Sequence, residues 1–191
     1  DQEFLVRPRQ KKERKMNKSI KLGFKLLLIT SATALALAFT NNMTQPIIEA
    51  RQQEELKESL AVVYEADSYE ELDVDAPDTI EVVYKAGDGY VFQILSSGGY
   101  GGDIEYLIGV DSDHNITGFA PLNHAESAGF GADMEEDYFK EGMVGVNMDS
   151  EVKASANGGE NEIIGISGAT ISTNTILKGI NDARQVLEGL E

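Results

Sequence analysis

The chain has 191 residues, no cysteine and two histidines, His114 and His124. That length holds one domain plus appendages, and the composition excludes disulfides, iron–sulfur clusters, thiolate zinc sites and histidine-rich metal centres. Formal net charge is −17, unevenly spread: residues 1–25 hold nine Lys/Arg against three acids, and residues 26–191 hold seven against thirty. A body this acidic repels phosphate backbones, so nucleic acid is not an expected partner.

Residues 1–19 form a basic tail. Met16, followed by Asn-Lys-Ser-Ile-Lys, reads as a natural start, which makes residues 1–15 an upstream extension. No charge falls between Lys25 and Glu49, and Leu26–Phe39, "LLLITSATALALAF", is almost wholly apolar or small. A helix over that window is roughly 35 Å long, enough to cross a bilayer. Residues 20–45 are therefore expected to be a membrane segment. An uncleaved anchor and a cleaved signal peptide both satisfy the pattern, since "ALALA" offers small residues for cleavage. The basic flank places the N-terminus in the cytoplasm and the acidic body outside, with a single pass between.

Residues 46–78 are expected to be a stalk. "TQPIIEARQQEELKESLAVVYEADSYEEL" (44–72) is charged and helix-friendly after Pro46, and "DVDAPD" (73–78) breaks it. From residue 79 to 191 a folded domain follows. "IEVVYKA" and "GYVFQIL" should pair across Gly87-Asp88-Gly89, and "DIEYLIGVD" and "NITGFAPL" across Asp111–Asn115. A Gly-rich loop, an acidic helix near Asp133–Phe139, a short segment "MVGVNMD", a polar loop "ASANGGENE" and a helix from about Ser172 to Leu187 complete the order. The expected fold class is α+β, a small twisted antiparallel sheet packed with helices.

Three local patterns fail. Asp111-Ser-Asp-His-Asn115 resembles the start of a calcium loop, but Ile116 and Leu122 stand where glycine and glutamate belong, so it reads as a hairpin turn. Gly98-Gly-Tyr-Gly-Gly102 lacks dinucleotide-loop spacing because Ile104 occupies the third glycine's place. His124 beside Glu126 has no companions for a hydrolase triad.

The informative stretch is "ISGATISTNTILKGI" (166–180). Ser172 and Thr173 are N-cap candidates, and Ile176, Leu177, Ile180, Ala183, Val186 and Leu187 share one helical face. A hydroxyl-rich cap on a core helix accounts for this. So does an anion site: a helix N-terminus offers unpaired N–H groups and a positive dipole end to a phosphate. Gly168 and Ala169 would let the phosphate approach, and the Thr170 hydroxyl would meet it.

Ser167-Gly-Ala-Thr170 near the end of the chain resembles the flavinylation motif of covalent FMN-binding domains. These occur in the G subunit of the Rnf electron-transport complex and in the C subunit of the sodium-translocating NADH:quinone oxidoreductase. "GGYGGDIEYLIGVDSDHNITGFAPLNHAESAGFG" (98–131) is similar, in order, to the family's Gly-Tyr-Gly-Gly segment, its hairpin and its His-x-Glu-Thr-Pro-Gly-x-Gly loop. The likeness covers roughly 79–187, the single membrane helix matches too, and the short length favours the Rnf member over the sodium-pump one. Two positions depart: Ser127-Ala128 replaces Thr-Pro, and Ile164 replaces an aspartate three residues before the motif, with Asn161 and Glu162 as candidate substitutes.

The resemblance implies FMN held through a phosphoester on Thr170, at the end of Ser167, Gly168 and Ala169. His124, Glu126, Gly129 and Gly131 of the matching loop are further cofactor-binding candidates, with His124 and Glu126 either hydrogen-bonding the flavin or ordering the loop. It also implies other Rnf membrane and iron–sulfur subunits as partners, and a magnesium-dependent FMN transferase with FAD as donor. A threonine hydroxyl is a poor nucleophile unaided, so a separate enzyme is needed for the bond. Gly98–Gly102 is expected to approach a flat ligand closely, and Leu122 or Phe130 to cover a ring face. The chain would be an electron-transfer subunit without independent catalysis, in a complex coupling ferredoxin/NAD electron flow to ion translocation. The alternatives are another extracytoplasmic flavinylated carrier, the C subunit of the sodium pump, and an anchored binding module without cofactor.

Overall fold

The computed structural model describes residues 11–159 and 161–190; the first ten residues of the expected upstream extension lie outside the described residues. The chain divides between Gln53 and Glu54 into two compact units, and each is taken by itself. In the first, helix α1 (Lys11–Val63) carries the charge-free window, with Pro46 inside the helix. Leu26, Leu27, Leu28, Ile29, Leu35, Leu37 and Phe39 are all exposed. This helix is long and apolar enough to span a membrane, and among the described residues of its own unit none covers those side chains.

The second unit is α+β, as the sequence implies. It begins inside α1, whose last turns end at Val63. Five strands follow in antiparallel order β1 (Tyr69–Leu72), β2 (Ile80–Ala86), β3 (Gly89–Ser96), β4 (Ile104–Val110) and β5 (Ile116–His124). The β2–β3 turn closes at Gly87 and Asp88, with Ala86 opposite Gly89 and Gly87 at φ +58°. The β4–β5 turn is held by Asp111, whose Oδ1 accepts from the N–H groups of Asp113 at 2.9 Å and Asn115 at 2.8 Å. Asp111 thus spends its carboxylate on its own turn, which accounts for the calcium-like spacing.

The expected stalk helix to Leu72 is corrected at its end. The helix stops at Val63, and Tyr69–Leu72 is an edge strand paired with β2. Its outer acids Glu70 and Glu71 are exposed while Tyr69 and Leu72 are half-buried, so its charge-rich sequence conceals a strand. A short 3-10 helix (Gly131–Glu135) and α2 (Asp137–Met143) replace the single acidic helix. The polar loop ends in a three-residue parallel pair, β6 (Lys153–Ser155) and β7 (Glu162–Ile164), and α3 runs Thr170–Leu187.

Alternation along the strands gives the sheet two apolar faces. Phe92, Ile94, Tyr106, Ile108 and Phe119 point to one face and pack with Met134, Phe139, Met143, Ile176 and Ile180 from the helices. Their neighbours Val91, Leu107 and Ala120 point to the other and pack with Leu60 and Val63 of α1. On the first face, the Phe119 ring lies tilted at 5.2 Å from Tyr106 and edge-on at 5.4 Å from Phe139. The buried Tyr106 hydroxyl donates to the Ile176 carbonyl of α3 at 2.7 Å. Gly179 makes that approach possible: a Cβ there would lie 2.3 Å from the oxygens of both Ser96 and Tyr106. This contact fixes α3, and with it the segment Ser167–Thr170, on the sheet.

On the second face, the paired residues Gly109 and Gly118 form a notch for the end of α1. A Cβ at Gly109 would sit 2.2 Å from the Val63 carbonyl oxygen, and one at Gly118 2.6 Å from the Val63 Cα. Thr117 Oγ1 donates to that carbonyl at 2.6 Å, satisfying one of the acceptors left open at a helix C-terminus.

Candidate functional site

Three segments converge at one end of the sheet. The β3–β4 loop brings Tyr100, the loop after β5 brings Glu126, Ser127, Phe130 and Gly131, and the start of α3 brings residues 168–172. Between them lies a cleft of about 460 Å³, within the range of small-molecule sites. Tyr100, Phe130 and Ile171 are more than half exposed along it, at 76%, 56% and 53%.

The local chain path explains the N-terminus of α3. Gly168 has φ +76°, which a side chain rarely adopts, and the turn lets the Ala169 N–H reach the Ile166 carbonyl at 3.1 Å. The helix therefore starts at Thr170, two residues earlier than expected. Ala169 is the N-cap and supplies no side-chain hydrogen bond. The expected caps do other work: Thr173 Oγ1 accepts from the Ile166 N–H at 3.1 Å, and Ser172 Oγ donates to Glu126 Oε2 at 2.7 Å. The first N–H groups of α3 thus have neither an intrahelical carbonyl nor a side-chain cap.

Hydroxyl exposure is selective. Ser172, Thr173 and Thr175 are buried, whereas Ser167 and Thr170 are exposed. Of these two, Thr170 lines the cleft.

Glu126 joins the cleft walls: Oε1 accepts from the Gly101 N–H at 3.0 Å while Oε2 takes the Ser172 hydroxyl. His124 is placed behind the wall, not in it. Its Nδ1 accepts from the Glu126 N–H at 3.2 Å, and Nε2 lies 2.8 Å from Glu135 Oε1. A backbone N–H can only donate, so the imidazole proton sits on Nε2. Gly129 has φ +76° and shapes the turn. Gly131 lines the cleft, where a Cβ would fall 2.1 Å from Glu126 Oε2.

Sequence reasoning placed Gly168, Ala169, Thr170, Glu126, Gly131 and Phe130 together, and the structure brings all six to the cleft. Two ring-contact expectations are corrected. Leu122 packs with the α1 side of the sheet, because strand alternation sends it to the opposite face from the cleft. Gly99 and Gly101 serve loop-to-loop packing: a Cβ on Gly101 would lie 2.0 Å from the Ala125 carbonyl oxygen. Tyr100 between them, together with Ile171, was missed, although a large exposed aromatic among glycines was visible within the motif. Asn161 and Glu162, the candidate substitutes near Ile164, line a different depression with Asn147, Ser150, Glu151 and Lys153. Ile164 faces Gly142 and Gly158.

The chain is an FMN-binding domain preceded in sequence by an apolar helix. Family models agree on both parts: residues 99–185 match the FMN-binding domain, and residues 15–63 match the RnfG N-terminal region. The chain is 30% identical to the G subunit of the Na(+)-translocating ferredoxin:NAD(+) oxidoreductase complex of Acetobacterium woodii, over 89% of this chain and 92% of the relative. It is 30% identical to the G subunit of the ion-translocating oxidoreductase complex of Methanosarcina acetivorans, over 83% and 88%. With the G subunit of the proton-translocating ferredoxin:NAD(+) oxidoreductase complex of Clostridium ljungdahlii it shares 23%, over 90% and 93%. The chain belongs to the RnfG family, the FMN-carrying electron-transfer subunits of ion-translocating oxidoreductases.

Proposed function

We propose that this chain carries FMN covalently on Thr170 and relays electrons on the outer side of the membrane, within an Rnf-type complex. The observation that carries the reading is Thr170 itself: exposed, the first residue of the uncapped α3, and lining a cleft with Tyr100 and Phe130. The cleft fits the group. The free N–H groups and the dipole end of α3 suit a phosphodiester, worth a few tenths to ~2 kcal/mol. Gly168 keeps that approach clear, and Tyr100, Phe130 and Ile171 offer apolar surface to a flat ring. FMN when bound supplies the electron-accepting and electron-donating chemistry. The residues of this chain hold and shield it.

Attachment needs a second protein. Among the described contacts neither His124, which bonds Glu135, nor Glu126, which bonds Gly101 and Ser172, meets the Thr170 hydroxyl as a base would. A magnesium-dependent transferase with FAD as donor balances the step. The Thr170 oxygen forms a bond to the phosphorus of the FMN half, the pyrophosphate bond breaks, AMP leaves, and the hydroxyl proton passes to the transferase. Ser172, Thr173 and Thr175 escape because they are buried. The covalent link prevents loss of the ring into the extracytoplasmic space.

Mass spectrometry of the chain produced with and without the transferase tests this. The expected result is a gain of one FMN less one water on the peptide containing Thr170, absent without the transferase and absent in Thr170→Ala. An unmodified mass in the chain matured beside the transferase would overturn the reading.

A further inference from the structure

Glu126 has a carboxylate pocket built around it. A Cβ on Gly99 would lie 2.6 Å from Oε1, and one on Gly131 would lie 2.1 Å from Oε2 and 2.6 Å from Ser172 Oγ. The two glycines leave the room that the carboxylate fills. Its oxygens bind one donor from each flanking segment, the Gly101 N–H beside Tyr100 and the Ser172 hydroxyl in the first turn of α3. Its own N–H is fixed by His124, which Glu135 orients in turn. The chain of contacts therefore runs from the 3-10 helix through the end of β5 into both walls of the cleft.

We propose that Glu126 is a positioning residue: its carboxylate latches the Tyr100 loop to the N-terminus of α3 and so sets the width of the cleft in which the FMN ring is held. This rests on the reading of the cleft as the FMN site. Hydrogen bonds to a charged acceptor are the strong ones, and losing this acceptor frees both segments at once. Glutamine at 126 can still accept from Gly101 and can donate to Ser172 Oγ, so the latch is a matter of shape and hydrogen bonding more than of charge.

The test uses the full chain in detergent. Without the transferase, hydrogen exchange is followed at the Gly101 amide in a peptide covering 98–103 and at the hydrogen-bonded amides from Thr173 onward in a peptide covering 170–178. Glu126→Ala is expected to speed exchange in both segments about tenfold, with β2 and β3 unchanged, and Glu126→Gln to stay near wild type. Wild-type exchange at either segment in Glu126→Ala, or failure of glutamine to restore it, overturns the latch. With the transferase, flavin fluorescence anisotropy is compared. Glu126→Ala should lower it and Glu126→Gln should keep it. Unchanged anisotropy in Glu126→Ala overturns the positioning role even if exchange rises. If wild type gains no FMN mass, the attachment reading fails, while the exchange result still decides the latch.

Discussion

At the scale of single residues, two tyrosines show how one hydroxyl ties distant segments together. Tyr106 is buried among the core aromatics, and burial raises its pKa. Replacing it by phenylalanine keeps the ring contacts but leaves the Ile176 carbonyl without that donor. The expected cost is about 1–2 kcal/mol, read as a lower denaturant midpoint with an unchanged slope. Tyr64, just past α1, bonds Asp88 in the β2–β3 turn. That hydrogen bond, with burial second, pushes its pKa up to about 12, and the same bond holds the Asp88 carboxyl below its ordinary value. The sign follows for each partner. The Tyr64 contribution is complete below pH 10 and is lost as pH rises through 12; the Asp88 contribution is present at neutral pH and is lost as acid protonates the carboxyl. A phenolate absorbance titration should contain one tyrosine ionising near 12 that disappears in Tyr64→Phe. If the variant and wild type titrate alike, the bond is absent in solution.

At the scale of elements, the end of α1 is part of the domain it precedes. Leu60 and Val63 are buried against the sheet at 4% and 1% exposure, and the Gly109–Gly118 notch receives the Val63 backbone. A fragment beginning at Glu54 should fold and give a dispersed amide spectrum, whereas one beginning at Ala66 should expose the face of Val91, Leu107 and Ala120 and aggregate. Gly118→Val tests the same contact within the whole chain. Valine suits a strand, yet its Cβ meets the helix backbone, so the change should destabilise by about 2–3 kcal/mol; a neutral effect would dissolve the notch. The sequence is legible here where residue type alone marks the element. Strands β2 to β5 are short runs rich in β-branched and aromatic residues, buried on both faces, both hairpin turns carry their own chemistry, and α3 shows its apolar face. It is opaque where a few buried residues sit among charges. Leu60 and Val63 end an acidic and basic run, and β1 reads as Tyr-Glu-Glu-Leu. The start of α3 misleads for another reason. Ser172 and Thr173 are good caps in isolation, but Glu126 and the Ile166 N–H, remote in sequence or outside the helix, recruit them first.

At the scale of the whole molecule, charge asymmetry bears on sidedness. Nine basic residues precede the apolar window and thirty acids follow its start, a bias that predicts the N-terminus in the cytoplasm and the FMN-binding domain outside. The absence of cysteine makes this directly measurable, because any cysteine introduced is the chain's one thiol. Lys18→Cys lies before the apolar stretch, and Glu188→Cys lies on the exposed end of α3 beyond its buried face. In intact cells a membrane-impermeant maleimide should label position 188 and spare position 18 until the membrane is opened. The reverse pattern, or equal labelling of both, would defeat the predicted orientation. The same pair separates an anchor from a cleaved leader. If Thr170 carries FMN as proposed, a retained helix keeps the thiol at position 18 on the flavin-bearing polypeptide, so the yellow band is labelled after lysis. Cleavage after "ALALA" would leave a yellow band that no longer takes label from Lys18→Cys, and the domain would then have to find its place beside the membrane subunits through contacts of its own.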